Sequence, residues 1–327
     1  MIVKSRVSKQ IFTMVLLLSA SYCSAQRQNV YFLKNSGRYV KTKDSADYIR
    51  VIREPDSASS LYNVLEYYKN GSRKLVGKSS TINPIRFEGP CVIFYPNGHK
   101  KNITSYVYGL KSGDEYCFYP NGKLYLTEAR PENPDRNHYD ERYLIKESND
   151  SLGTPGVVNG SGYFKGFAAD STEVYEEGPV KNGKKDGAWK GSFKLIHATF
   201  TENYEDGTLV KGEASYDDGE TVFYTQSRET EPQFTGGQRA FGMYLAKSVH
   251  YPAEARENNE QGMVVLSFIV EKDGKIGEVK IVRPVSRSID NEAVRVIKNS
   301  PPWKPGMQFG RPVKVLYSVP VNFSLSH

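Results

Sequence analysis

The 327-residue sequence has little of what most enzymes and metalloproteins depend on. It contains no Gly-x-Ser-x-Gly motif, P-loop or dinucleotide-binding fingerprint. Its three cysteines form no cluster, and its five histidines are scattered, without a helical pair at metal-ligand spacing. The histidines are His99, His138, His197, His250 and His327. We therefore expect a non-enzymatic protein that uses no cofactor and no metal.

Long hydrophobic runs are also lacking. The longest lies at residues 11–20, where three basic residues precede it and a small-residue site follows at 23–25. A membrane-spanning helix needs about 20 apolar residues, roughly twice this length. The pattern predicts a signal peptide at 1–25 that is cleaved to leave Gln26 first, and hence a periplasmic protein. An uncleaved leader that anchors the chain in the inner membrane is the alternative.

Positive charge is in only small excess. The formal net charge is +7, and three of the basic residues lie in the predicted signal peptide. The remaining charges form no basic stripe, and the sequence has no recognised groove-reading motif. The composition therefore indicates no nucleic-acid partner.

Two cysteines, Cys91 and Cys117, remain outside the predicted signal peptide. They lie seven and five residues before the turn glycines Gly98 and Gly122, so both have the same strand parity. An oxidising compartment permits a disulfide between them. Two buried thiols that never meet are the alternative, and the sequence leaves both open.

Glycine and tyrosine are abundant, with 28 and 23 residues, which indicates tight turns between aromatic-rich strands. Eight Asn-Gly or Asp-Gly dipeptides precede residue 230. Because Asn, Asp and Gly tolerate positive φ, these dipeptides predict β-hairpins with type I′ turns. They are Asn70-Gly71, Asn97-Gly98, Asn121-Gly122, Asn159-Gly160, Asn182-Gly183, Asp186-Gly187, Asp206-Gly207 and Asp218-Gly219.

Three of these turns lie in closely similar segments, at 67–71, 94–98 and 118–122, and their glycines are 27 and then 24 residues apart. Such a period is typical of small units that stack side by side. We therefore expect a mainly β protein with a stacked β-hairpin array at 26–225. An irregular break is predicted at 131–153, where Pro, Asn and charged residues dominate.

The periodicity changes after a polar segment at 226–235, which is typical of an exposed linker. Apolar residues at helical spacing from 241 to 249 predict an amphipathic helix, and one further helical turn follows. Two alternating strands joined by an Asp-Gly turn and a helix from 288 to 300 come next. These elements predict a small α+β domain at 236–327.

The final strand shows the clearest alternation in the chain. Pro320 interrupts its solvent-facing set, and proline lacks the N–H that a central strand donates, so we predict that the strand lies at a sheet edge. Trp303, with three prolines nearby, is predicted to fill the core ahead of this strand. The opposite, core-facing set is Val313, Val315, Tyr317, Val319, Val321, Phe323 and Leu325.

Short motifs at about 230–327 resemble, in their order, the C-terminal domain of the TonB family. They are Gly236-Gly237, Ala240-Phe241, Tyr251-Pro252, Gln261-Gly262, Asp273-Gly274, Ile289-Asp290 with Glu292-Ala293, Trp303-Lys304-Pro305-Gly306, and Pro320-Val321 with Phe323. The resemblance implies a three-stranded antiparallel sheet with two helices packed on one face. The hairpin region, at about 60–225, is similar to MORN-type repeats of the bacterial Tyr-x-Asn-Gly variety.

The TonB resemblance implies that the final strand binds the TonB box of an outer-membrane transporter by β-strand addition. The implied partner-binding residues are Val313, Val315, Leu316, Tyr317, Ser318, Val319, Val321 and Phe323, with Tyr251 and Pro252 as a secondary contact. Pairing of the same edge with a second copy would give a homodimer. The chain has a short leader where the family's transducer has a spanning helix, so contact with the inner-membrane proton-driven motor is not expected.

A second function of a different class is also consistent with the sequence. The chain would then be a cell-envelope structural or interaction protein. Its MORN-like repeats would bind the partner, and its TonB-like domain would be a docking module.

Overall fold

The computed structural model describes residues 27–134, 143–167 and 173–325. The predicted signal peptide at 1–25 lies outside these residues, as do Gln26, His138 and His327. Within them the chain is mostly β-strand and has three α-helices, so the expected mainly β fold with a small α+β part is confirmed. No helix in the described ranges is long and apolar enough to cross a membrane.

The first eighteen strands form one antiparallel sheet, which we call the array. From β3 onward the strands pair in chain order, except that β14 and β15 both pair with β13, and β1 pairs with both β2 and β3. The strands are β1 (Gln28–Leu33), β2 (Tyr39–Val40), β3 (Tyr48–Arg53), β4 (Tyr62–Tyr68), β5 (Arg73–Ser79), β6 (Phe87–Phe94), β7 (Lys100–Val107), β8 (Leu110–Phe118), β9 (Leu124–Ala129), β10 (Leu144–Asn149), β11 (Pro155–Val158), β12 (Ser161–Phe167), β13 (Val174–Lys181), β14 (Lys184–Lys185), β15 (Gly187–Phe193), β16 (Ala198–Glu205), β17 (Thr208–Tyr216) and β18 (Thr221–Tyr224).

The Asn-Gly and Asp-Gly turns are of two kinds. Asn159, Asn182 and Asp206 have φ of 50°, 52° and 46°, as a type I′ turn requires of the residue before glycine. In the three Tyr-x-Asn-Gly segments only the glycine has positive φ, and its N–H donates to the tyrosine carbonyl over 2.9 Å. These are type I turns followed by a glycine bulge, which suits proline at the first central position. The prediction of type I′ is wrong for them, and also for Asp186-Gly187 and Asp218-Gly219, where the glycine but not the aspartate has positive φ.

The tyrosines of these segments join successive hairpins. Their hydroxyls donate to a backbone carbonyl 23 to 30 residues further on, over 2.6 to 2.9 Å. The donors are Tyr68, Tyr95 and Tyr119, and the last bond ends on Asn149. This repeated bond gives the Tyr-x-Asn-Gly spacing a structural role.

The array continues through much of the predicted break at 131–153. Leu144–Asn149 forms β10 and pairs with β9. Ile145 and Ser148 of this strand are buried while its charged residues face solvent, so the polar composition does not prevent pairing. The expectation of an irregular segment is wrong for this strand.

Of the two alternatives for Cys91 and Cys117, the disulfide is not formed, and both cysteines are free thiols. Cys91 lies opposite Thr104, and Cys117 lies opposite Asn102, so β7 separates the two cysteines. Two strand spacings amount to about 9–10 Å, beyond the roughly 7 Å that a disulfide allows between Cα atoms. Burial raises the pKa of each thiol to about 12.

The C-terminal part is built on a second antiparallel sheet, in the order β21–β20–β24, as the TonB resemblance implied. Its core contains β20, the inner face of β24, residues of all three helices, and Trp303, which is buried as predicted. The elements from residue 229 onward are β19 (Glu229–Thr230), α1 (Gly237–Ser248), α2 (Ala253–Glu257), β20 (Gly262–Val270), β21 (Ile276–Arg283), α3 (Arg287–Lys298), β22 (Gly306–Gln308), β23 (Arg311–Val313) and β24 (Val315–Phe323).

The segment at 226–235, predicted to be an exposed linker, pairs with the region that precedes β24. β19 pairs with β22 in a small sheet of β19, β22 and β23. Gln233 and Lys304 exchange two backbone hydrogen bonds of 3.0 and 2.7 Å. Phe234 is buried in the C-terminal core. The segment is therefore not an exposed linker, and the placing of a domain boundary there stays a prediction.

Candidate partner-binding edge

The final strand lies at the edge of its sheet. β24 pairs with β20 in a continuous register from Phe323 opposite Gly262 to Val315 opposite Val270. Among the described residues no strand pairs with its other side. The edge position of this strand, predicted from Pro320 in the sequence, is therefore the one observed.

Proline also shows which backbone groups face the open side. Pro320 lies opposite Val265 within the unbroken pairing. Since its nitrogen donates no hydrogen bond, continuous pairing is best satisfied if that nitrogen points away from β20. Alternate residues share this direction, so the N–H groups of Leu316, Ser318 and Asn322 also point outward. The open edge thus offers donors on both sides of a gap at Pro320.

The side chains of β24 alternate as the sequence predicted. Val319, Val321 and Phe323 are buried, and Val315 and Tyr317 are half-buried. The opposite set faces solvent, with Leu316 70% exposed.

Val313, predicted to belong to the same strand, lies elsewhere. It ends β23 and pairs with Gly306 of β22, and Lys314 separates it from β24. The alternation continued across this boundary because exposed residues also alternate with more buried ones in β23, where Pro312 is exposed between two half-buried residues. Val313 is therefore removed from the candidate edge.

The two residues predicted as a secondary contact lie near the end of β24. The ring of Tyr251 meets that of Phe323 edge-on at 5.9 Å, and its hydroxyl donates to the backbone carbonyl of Glu260. Pro252 precedes α2 as its N-cap residue. Both are half-buried, so their contact with a partner stays a prediction.

A cleft of about 700 Å³ opens beside the edge of β24. On one side lie residues 317–320 of that strand, and on the other lie α1 and the segment 231–234. Phe241, Leu245 and Trp303 give it an apolar lining. Sequence reasoning did not predict this cleft, because its walls come from three separate parts of the chain.

A second feature that the sequence did not predict joins the C-terminal part to the array. The turn between β22 and β23 inserts Phe309 into the array core, where it is 2% exposed. Its N–H donates to the carbonyl of Arg228 over 2.6 Å, and its carbonyl accepts from the Tyr216 hydroxyl at 3.1 Å. Arg311 then pairs with Asp218 at 2.7 Å and also with Glu220.

Arg228 adds ion pairs to this contact between the C-terminal part and the array. Its guanidinium donates to both carboxylate oxygens of Glu202, over 2.7 and 2.6 Å, and to Glu176 over 2.8 Å. Burial alone would raise the pKa of Glu202, but the hydrogen bonds and charge of Arg228 outweigh it, and the pKa is lowered. Burial lowers the pKa of the neighbouring Lys185, which pairs with Glu176 at 2.6 Å. The polar segment before β19 is thus fixed to the array.

The array carries a shallow groove of about 570 Å³. Tyr163 and Phe223 line it together with polar residues that include Lys190 and Lys211. No group of three or more potential metal ligands occurs in the ranges that the structure describes.

Comparison with known proteins identifies the C-terminal part. Residues 247–325 match the family model for the Gram-negative bacterial TonB protein C-terminal region, and they form a TonB C-terminal domain. A stretch of 77 residues is 38% identical to the protein TonB of Neisseria gonorrhoeae. This match covers 23% of the chain and 25% of that protein, so the chain spans about a quarter of that relative's length.

Two solved structures are also similar to the chain. Both are NMR solution structures of the Helicobacter pylori TonB C-terminal domain, with 21% and 22% identity and a TM-score of 0.22. The matches cover 27% and 28% of this chain, and 94% and 87% of the Helicobacter chains. The similarity of the array to MORN-type repeats stays a prediction.

Proposed function

We propose that this chain is an exported cell-envelope protein that captures an extended segment of a partner protein by adding it as a strand to β24. The observation that carries the proposal is the edge itself, a nine-residue strand paired on one side among the described residues. Backbone hydrogen bonds along such an edge supply affinity, and alternate side chains supply specificity.

The occupant we propose is the TonB box of an outer-membrane transporter. The TonB C-terminal domain at 247–325 supports this choice, and it supports a role in transport across the envelope. The proton-driven motor in the inner membrane forms no part of the proposal. The protein would work in the periplasm after cleavage before Gln26, and amino-terminal sequencing of the mature chain tests that step.

Ser318→Pro is the variant that tests strand addition most specifically. It removes one outward donor from the edge and leaves the pairing with β20 in place, because the Ser318 N–H shares the direction of the Pro320 nitrogen. One hydrogen bond is worth about 0.5–1.5 kcal/mol, so binding of a TonB-box peptide should weaken roughly two- to thirteenfold. Fluorescence anisotropy with labelled peptides from transporters of the same bacterium measures the change.

Ser318→Ala is the matched control, since it removes the same hydroxyl and keeps the N–H. It should bind like the native protein. Circular dichroism must show that the proline variant is folded. Equal affinity of folded Ser318→Pro and Ser318→Ala would contradict strand addition at this edge.

The same open edge could instead pair with a second copy. Sedimentation then distinguishes the two occupants, because a self-paired dimer should dissociate when the peptide is added. A dimer that persists at saturating peptide would place its interface away from β24.

The groove on the array supports a second candidate function, in which the repeats bind the partner. Tyr163 and Phe223 are exposed hydrophobic residues on the same groove, and Phe223 is 74% exposed. Aromatic side chains of this kind are enriched at binding surfaces. Separate pull-downs with the full chain and with groove variants distinguish the two candidates.

A further inference from the structure

The cleft beside β24 is an incomplete part of the C-terminal core. None of the residues of α1 is buried, although Phe241 and Leu245 face the cleft. The Phe241 ring packs at 5.2 Å from that of Trp303, which closes the inner end. The remaining apolar surface has no covering side chain within the described residues, and it continues directly into the open edge.

Gly242 explains why the cleft is open. It lies in the middle of α1 and lines the cleft, and a Cβ added there would meet no atom within 4 Å. Glycine in a helix interior costs stability relative to alanine. Here its effect is to leave room for a side chain from outside.

An added strand would point alternate side chains into this space. Tyr317 and Val319 face the helices and line the cleft. Cross-strand neighbours share a face of a sheet, so partner residues opposite these two would face the cleft. The residues between them would face solvent, on the side of Leu316 and Ser318.

We propose that this cleft takes one bulky apolar side chain of the added strand and so selects among extended peptides. The proposal rests on strand addition at β24. It commits to an aliphatic or aromatic residue because Phe241, Leu245 and Trp303 form the walls. Polar residues, among them Glu231, Gln233 and Gln238, also line the cleft, together with the edge of β24.

A peptide scan on the native mature chain tests the selectivity. A TonB-box peptide is made with Phe or Ala at each position in turn, and its affinity is measured by fluorescence anisotropy. Phe should bind at least about tenfold more tightly than Ala at one position, because burying an aromatic ring is favourable. The two neighbouring positions should be insensitive. Equal affinity at every position would overturn the proposal.

Gly242→Leu tests the location, because it places a side chain in the cleft. It should weaken binding of the preferred Phe peptide about tenfold and leave the Ala peptide within twofold. Met243→Leu, at a residue of α1 that is 60% exposed, should change neither affinity. If Gly242→Leu does not fold, Gly242→Ala replaces it with a smaller effect of the same sign.

These outcomes separate the cleft from the edge. If Ser318→Pro weakens binding but the peptides show no Phe preference and Gly242→Leu has no effect, strand addition is retained and the role of the cleft is rejected. If the native protein binds none of the peptides, both strand addition at β24 and the role of the cleft are rejected.

Discussion

The rings of Phe309 and Phe200 lie 5.2 Å apart, which brings the turn before β24 into the core of the array. Phe309 has φ of 45°, a conformation that a bulky residue rarely adopts. The packing of its ring and the hydrogen bonds of its backbone offset that cost. The C-terminal part is therefore attached to the array by a buried contact as well as by the chain.

Phe309→Ala should destabilise the array strongly. Removing a buried aromatic ring leaves a cavity and costs about 3–5 kcal/mol. Chemical denaturation of the variant measures the loss in the free energy of unfolding, and Phe223→Ala, at an exposed position, should stay within about 0.5 kcal/mol of the native protein. Equal stability of the two variants would contradict a structural role for the Phe309 contact.

Arg228→Met should destabilise the protein by about 3–5 kcal/mol at pH 7, because it removes the guanidinium from the buried Glu202 carboxylate and leaves only the Tyr204 and Tyr224 hydroxyls donating to it. In the native protein the pKa of Glu202 is lowered. Its stabilising contribution is therefore present above the carboxyl's ordinary pKa of 4.5 and is lost as pH falls through the lowered value.

The pH dependence should be weaker in the Arg228→Met variant. Burial raises the pKa of Glu202, and without the guanidinium only the hydrogen bonds from Tyr204 and Tyr224 oppose it, so this pKa lies above its value in the native protein. The stability that the ionised carboxylate contributes above pH 4.5 is therefore smaller than in the native protein. Urea midpoints between pH 4 and pH 7 should show a smaller deficit at pH 4. Lys184→Met, in an exposed pair with Asp206, is the control and should show no comparable trend.

Much of the fold could be predicted from local sequence signals. The turn dipeptides, the Tyr-x-Asn-Gly spacing and the alternation in β24 are short-range features. Pro320 alone was enough to predict that β24 is an edge strand. The turn types within the repeats were mistaken because Asn-Gly was assigned its commonest hairpin role. In two of the three segments the residue before it is a proline, which favours a type I turn.

The contacts between distant segments could not be predicted in the same way. Phe309 lies beside a turn glycine, and Arg228 lies in a polar run, where a solvated charge is the usual expectation. Their partners in β16 are more than 25 residues away along the chain, and no repeat or period connects them. An aromatic residue inside a two-residue turn was the one local signal that could have indicated docking.

The thiols of Cys91 and Cys117 should stay free and react slowly. Burial raises the pKa of each to about 12, so very little thiolate is present near neutral pH. Iodoacetamide at pH 8 should label neither in the folded protein and both after unfolding without a reductant, as measured by mass spectrometry. A disulfide-linked peptide containing both cysteines would contradict this separation by β7.

Substitutions in the array groove should leave peptide capture unchanged. Tyr163→Ser and Phe223→Ser remove the exposed aromatic surface of the groove, which is separate from β24. In pull-downs the double variant should retain transporters as well as the native chain does. Loss of transporters from a folded double variant would favour the repeats as the binding surface.

Amide hydrogen exchange of β24 with and without a TonB-box peptide tests strand addition most directly. The N–H groups of Leu316, Ser318 and Asn322 point to the open edge, so NMR should show that their exchange slows when the peptide binds. The amides of Val319 and Val321, directed towards β20, should be protected already. Unchanged exchange at the three outward amides at saturating peptide would contradict the proposal that the partner adds a strand to this edge.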